Sequence, residues 1–175
     1  MKVLTLLRHA KSGWDDPGLR DFDRPLNPRG RRAARTVGAE MRRLGLRFDR
    51  VVASPARRVV ETLAEVEQAF GRLDPAWDER LYLASPETLL EVAQGSGDEA
   101  GRLLLVGHNP GLEELVQRLA SHGALRDEAA IKYPTATVAE LGFDVTSWRQ
   151  IGPGAATLTR FIRPRDLDPE LGPED

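Results

Sequence analysis

KVLTLLRHAKS, residues 2–12, runs from an apolar stretch straight into two basic side chains, Arg8 and His9. Residues 102–112, RLLLVGHNPGL, repeat the plan: an apolar run, then a histidine, then a turn. A short apolar run bounded by polar turn residues marks a strand buried on both faces, as in a parallel sheet. Lys2–Leu7, Arg50–Ala53 and Arg102–Val106 fit that pattern, and Leu81–Ala84 fits it more weakly. Thr135–Asp144 and Thr157–Ile162 are later strand candidates. Helical patterns occupy Pro28–Leu44, Pro55–Phe70, Pro86–Gln94 and Pro110–Ser121. Strand alternating with helix predicts an α/β three-layer sandwich, with a central, mostly parallel sheet and helices on both faces.

The 175 residues are 41% hydrophobic and 30% charged, which suits one globular domain over residues 1–165. Residues 166–175 carry five acidic side chains and two prolines, and are expected to form a flexible acidic tail. Net charge is −2, so no global field draws the protein to nucleic acid or membrane. Arginine is crowded between Arg20 and Arg58, but Asp21, Asp23, Glu40 and Asp49 are interspersed and no aromatic stacking platform accompanies it. With no cysteine, disulfides, thiolate nucleophiles and Cys-based metal sites are excluded. The N-terminus lacks the pattern of a signal peptide, and no run approaches the roughly 20 apolar residues that span a bilayer. A cytoplasmic location is the expectation.

Four predicted helices open with a capping residue followed by proline: Asn27-Pro28, Ser54-Pro55, Ser85-Pro86 and Asn109-Pro110. Asn27 and Ser85 read as plain helix starts. Ser54 and Asn109 directly follow, or nearly follow, buried strands. Their helices therefore start at the carboxyl edge of the sheet, where open α/β folds bind ligands. A helix N-terminus there offers free amides and positive dipole to an anion.

Arg8 and His9 lie at that same edge, as does His108 after the fourth strand; Arg58 sits one turn inside the second helix. A single histidine at a strand end is more often a hydrogen-bonded structural residue than a catalyst. Here two of only three histidines fall at equivalent strand ends. The third, His122, near a helix end, reads as structural. Two guanidiniums and two imidazoles make a poor divalent-metal site and a good cage for a phosphate dianion. One imidazole can also attack phosphorus when neutral, and the other, if protonated, can donate to the transition state. No metal and no other cofactor is expected.

LLRHAKS resembles the first signature of the histidine phosphatase superfamily, with Ala10 where many members have Gly. SPARRVVET resembles its Ser-x-x-x-Arg-x-x-x-Thr signature, which selects Arg58 over Arg57. VGHNPGL resembles the block that holds the second catalytic histidine. RHAKSGWDDPGLRDFDRPLNPRG and DERLYLAS are most similar to the small SixA-type phosphohistidine phosphatases, and the likeness extends from Lys2 to about Leu167. The resemblance implies a phosphoglycerate mutase-like fold. It also implies His9 as the phosphorylated nucleophile, with Arg8, Arg58 and His108 holding the phosphoryl group. Glu79 is the implied proton donor, with Asp78 as its competitor. Lys11 and Ser12, after His9, are candidate phosphate or substrate contacts, as is Asn27. Lys132 is a candidate for the rim, by resemblance alone. Trp77 and Trp148 read as packing residues, and Trp14, nearest the loop, as the exception.

About 50 residues separate Arg58 from His108, which leaves little room for a lid. An open pocket suits a phosphorylated protein surface, such as phosphohistidine on a phosphotransfer domain. A general or small-metabolite phosphomonoesterase is the alternative. A non-catalytic phosphoprotein-binding module on the same fold is a weaker one, and mutase activity is disfavoured by an open site.

Overall fold

A computed structural model describes residues 1–172. Its centre is a six-stranded sheet in the order β3-β2-β4-β1-β5-β6. The strands are β1 (Lys2–Arg8), β2 (Arg50–Ala53), β3 (Ala76–Trp77), β4 (Arg102–Gly107), β5 (Val138–Phe143) and β6 (Ala156–Ile162). β1 to β4 run parallel; β5 pairs antiparallel with β1, and β6 antiparallel with β5. In register, Arg8 lies beside Gly107 and Ala53 beside Val106. Three chain segments therefore leave the sheet side by side, carrying His9, His108 and Ser54.

Period-2 alternation divides the core. Leu4, Leu6, Leu103 and Leu105 point to one face, with Leu89, Leu115 and Trp148. Leu7, Leu104, Val106 and Val51 point to the other, with Val37, Val59 and Leu63. Helices α1 (Pro28–Arg43) and α2 (Arg57–Phe70) cover the second face. α3 (Pro86–Gln94), α4 (Gly111–Leu119) and α5 (Ala124–Ile131) cover the first. At about 25 cal/mol per Å², apolar burial on both faces is the main force holding the layers together. Among the described residues, no helix is long and apolar enough to cross a membrane.

Several local expectations change. Leu81–Ala84 is not a strand: residues Glu79–Leu81 form a 3-10 turn, and Leu83 takes a left-handed φ of 50°. The third strand is instead the two-residue Ala76–Trp77. Ser54 does not cap α2: its hydroxyl oxygen meets His108 Nε2 and accepts from the Ala56 amide, the chain stays extended through Ala56, and the helix starts at Arg57. Pro110 precedes α4, which starts at Gly111. Asn27 and Ser85 do cap, accepting from the amides of Gly30 and Thr88. α5 has no capping side chain and buries only Ala129, so neither pattern nor punctuation announced it.

Residues 166–172, expected as part of a flexible tail, pack on α1. A last short helix, α6 (Pro164–Leu167), leads to a 3-10 turn that buries Leu171. Arg32 on α1 meets Asp168 at 2.6 Å and Glu170 at 2.7 Å. Acidic residues read as a solvated tail are thus partners for an arginine-rich helix. Residues 173–175 of the expected tail lie outside the described residues.

Candidate active site

His9 is the first residue beyond β1, and its ring is almost buried. Its Nδ1 lies 2.7 Å from the carbonyl oxygen of Ala10. A carbonyl only accepts, so Nδ1 carries the proton and Nε2 keeps its lone pair. Burial holds the ring pKa well below 6.5, against the pull of the Ala10 carbonyl, and the nearby His108, Arg58 and Arg8 act in the same direction as burial. The result is a neutral imidazole at pH 7 with one nitrogen fixed and the other nucleophilic.

The backbone around His9 is fastened from two sides. The Ala136 amide, in a residue with φ 58°, donates to the carbonyls of both Arg8 and His9. The Ala10 amide donates to the Thr62 hydroxyl at 2.9 Å, and that hydroxyl donates to the Arg58 carbonyl at 2.6 Å. One buried side chain on α2 thus ties the nucleophile loop to the turn of helix that carries Arg58. Arg58 and Thr62 are spaced by four and so lie on neighbouring turns of one face of α2.

The rings of His9 and His108 lie 5.3 Å apart. Arg58 Nη2 is 3.2 Å from His108 Nδ1, and His108 Nε2 is 2.8 Å from Ser54 Oγ. Since guanidinium only donates, Nδ1 accepts and the proton sits on Nε2, facing Ser54. Burial and the Arg58 charge lower the His108 pKa to about 3. At that value the His108 ring is neutral at pH 7. Arg8 Nη1 donates to the Tyr133 carbonyl at 2.9 Å, and Asn109 Nδ2 donates to the same oxygen at 3.0 Å.

These groups line a cleft of about 400 Å³ that also takes in Lys11, Ser12 and Trp14. Larger hollows lie at the opposite edge of the sheet, among Met1, Phe48 and Arg102, away from the histidines. Asn27 is not at the cleft; its side chain is spent on the α1 cap. Glu79 is exposed and outside the cleft lining, and Asp78 caps the turn through the Arg80 amide and pairs with that arginine. Lys132 is also outside the lining, whereas Trp14 is in it, 70% exposed. Trp148 is buried and Trp77 half exposed.

Sequence reading missed Asp21 and Arg24, both in the cleft. Asp21 Oδ2 accepts from Arg58 Nη2 at 3.0 Å and from the Tyr82 hydroxyl at 2.5 Å. Its backbone carbonyl accepts from Arg58 Nη1 at 2.7 Å, and Oδ1 pairs with Arg24. Desolvation pushes its pKa up, but the Tyr82 hydroxyl and the two arginines outweigh it and bring the value to about 2. Arg24 also donates to Ser12 at 2.7 Å and stacks on Trp14, its guanidinium carbon 3.5 Å from the ring centroid. Among the described residues no three His, Asp or Glu side chains cluster so as to hold a metal ion.

Residues 4–83 fit the family model of the histidine phosphatase superfamily (branch 1). The chain belongs to this superfamily. It is 39% identical over 164 residues to the uncharacterized protein Rv1276c of Mycobacterium tuberculosis, covering 91% of this chain and all of that one. Among solved structures, it is similar to the candidate phosphohistidine phosphatase SixA of Agrobacterium tumefaciens. That match has 29% identity and a TM-score of 0.79, over 92% of this chain and 97% of that one. A protein histidine phosphatase SixA solved with tungstate shares the fold at a TM-score of 0.78, with 20% identity, over 95% and 99% of the two chains. The superfamily membership and its phosphoglycerate mutase-like fold agree with the mixed sheet and its two helical layers.

Proposed function

We propose that this chain is a phosphatase that works through a phosphohistidine intermediate and removes phosphate from phosphohistidine in a protein. The carrying observation is the His9 tautomer, with Nδ1–H held by Ala10 and Nε2 left basic. In the first half-reaction Nε2 attacks phosphorus, a new P–N bond forms, and the bond to the leaving group breaks. In the second, water attacks phospho-His9, releasing inorganic phosphate and restoring the imidazole. Arg8, Arg58 and His108 take the roles of charge neutralisation that dominate phosphoryl transfer. An incoming dianion offsets the burial and arginine charge that hold His108 neutral. His108 can then take up a proton and, as an imidazolium, donate a hydrogen bond to a phosphoryl oxygen.

The leaving group follows from Asp21. It is the one carboxylate in the cleft lining among the described residues, and it is held ionised with a pKa of about 2. A group that acidic makes a poor proton donor at pH 7. An imidazole leaving from phosphohistidine can be protonated by solvent and needs little help; an alkoxide needs much more. This favours phosphohistidine over alkyl phosphate metabolites. Similarity to the SixA-type structures supports the same substrate class.

The decisive measurement compares kcat/KM on a phosphohistidine-bearing phosphotransfer domain with kcat/KM on a panel of alkyl phosphate metabolites. A preference of several decades for the protein is expected; the reverse preference makes the chain a metabolite phosphomonoesterase. In parallel, wild-type enzyme should trap an acid-labile, base-stable phosphoenzyme that His9→Ala does not form. Turnover of an aryl phosphate should persist in EDTA, and its complete loss would overturn the metal-free mechanism.

A further inference from the structure

Six large apolar side chains are exposed among the described residues, and two of them, Trp14 and Leu83, line the cleft. Leu83 is 56% exposed and adopts a φ of 50°, a region a bulky residue occupies only when its surroundings force it. The forcing contacts are visible. Next to it, the Ala84 carbonyl rests on the backbone of Gly111, so closely that a Cβ there would lie 2.0 Å from the oxygen. On the other side, the Tyr82 hydroxyl is anchored on Asp21. The turn is clamped at both ends and holds a leucine out at the mouth of a phosphate cleft. Trp14 is 70% exposed and is held by stacking against Arg24. Exposed apolar surface adds nothing to folding beyond the Arg24 stacking; apolar anchors held in place at an interface reward binding, because little side-chain freedom remains to be lost.

We propose that Leu83, with Trp14, is a specificity-determining contact for the protein that carries the phosphorylated histidine, gripping apolar surface around that residue rather than the phosphoryl group. This rests on the phosphohistidine reading above and adds to it the part of the cleft that selects a macromolecule over a small ester. The cleft's open mouth and the exposure of both side chains fit a protein surface rather than an enclosed small leaving group.

The test is the ratio of kcat/KM on a histidine phosphotransfer domain, phosphorylated with phosphoramidate, to kcat/KM on an aryl phosphate. Leu83→Asn and Leu83→Gly both tolerate the left-handed backbone and remove the apolar group. Each should lower the ratio by on the order of tenfold to a hundredfold, carried in KM for the protein. Trp14→Ala should move the ratio the same way, and Ile131→Asn, on a still more exposed residue outside the cleft, should not. Leu83→Gly should keep or raise Tm; a falling ratio with an undiminished Tm is a result that a purely structural leucine does not give. Leu83 variants with the wild-type ratio overturn this inference alone. A wild-type enzyme that hydrolyses the aryl ester but no phosphohistidine protein overturns the substrate reading, and this inference with it.

Discussion

Arg57 and Arg58 are neighbours with opposite fates. Arg57 is on the surface of α2 and pairs with Glu61 at 2.8 Å, an exposed i,i+4 contact of about 0.3–0.5 kcal/mol. Arg58 is buried, shares a guanidinium nitrogen between Asp21 and His108, and faces the cleft. Arg58→Ala should cost on the order of 10²–10³ in kcat on an aryl phosphate, the usual loss for one transition-state donor. Arg57→Ala should leave the rate within about twofold, as expected where a surface pair is worth so little. Equal losses in a steady-state assay would refute this division of labour. Thr62 offers a subtler case. Thr62→Val keeps the shape but leaves the buried Ala10 amide without its acceptor, at a cost of about 1–3 kcal/mol. Chemical denaturation should show that loss, and kcat should fall with it because Ala10 directly follows His9 and its carbonyl holds the His9 ring. Arg8, His9 and His108 were legible as candidates because each ends or follows a strand at a known edge, whereas Arg58 was singled out from Arg57 by the resemblance of its signature. Asp21 was not: its partners Arg58 and Tyr82 are 37 and 61 residues away, and no local pattern links them.

The site depends on two helix starts that touch the loops opposite them. A Cβ on Gly30, in the first turn of α1, would lie 2.1 Å from the Lys11 carbonyl, one loop residue beyond Ala10. Gly111, opening α4, approaches the Ala84 carbonyl as closely. Backbone against backbone cannot yield as a flexible side chain can. Gly30→Ala should therefore push the His9–Lys11 loop outward and cost about 1–3 kcal/mol, as overpacking does. Its reading is a lowered midpoint in urea together with a lowered kcat; wild-type values for both would show that the loop moves freely. The long helices and buried strands were readable because period and punctuation agreed, with Asn27 and Ser85 marking starts that the structure retains. Leu81–Ala84 misled because Leu-Tyr-Leu mimics a strand, while its conformation is set by Gly111 and Asp21, which are distant in sequence. α5 lacked any cap, and its position depends on packing against α4 and β6 rather than on its own residues.

The whole molecule keeps two imidazoles neutral in its interior, and that links folding to pH. Unfolded, each histidine titrates near 6.5; folded, His9 lies well below this and His108 at about 3. Between those limits the unfolded chain binds more protons than the native one, so stability rises with pH there. Each histidine's contribution is intact above pH 6.5 and is lost progressively as pH falls towards the folded value. Asp21 acts in the same direction lower down, its contribution lost between 3.8 and about 2. Tm should therefore decline steadily as pH drops from 6.5 towards 4, before most carboxylates titrate. Replacing His108 by Asn should flatten that decline. An oxyanion that binds the cleft should steepen the contrast: vanadate or phosphate raises Tm by mass action, and it favours a protonated His108, which costs the native state nothing at low pH. Calorimetric Tm measured across pH 4–8, with and without vanadate, should show the ligand-free slope diminished when the anion is bound. A slope that is the same with and without the anion, and in the His108 variant, would mean that the buried imidazoles do not set the acid stability of this protein.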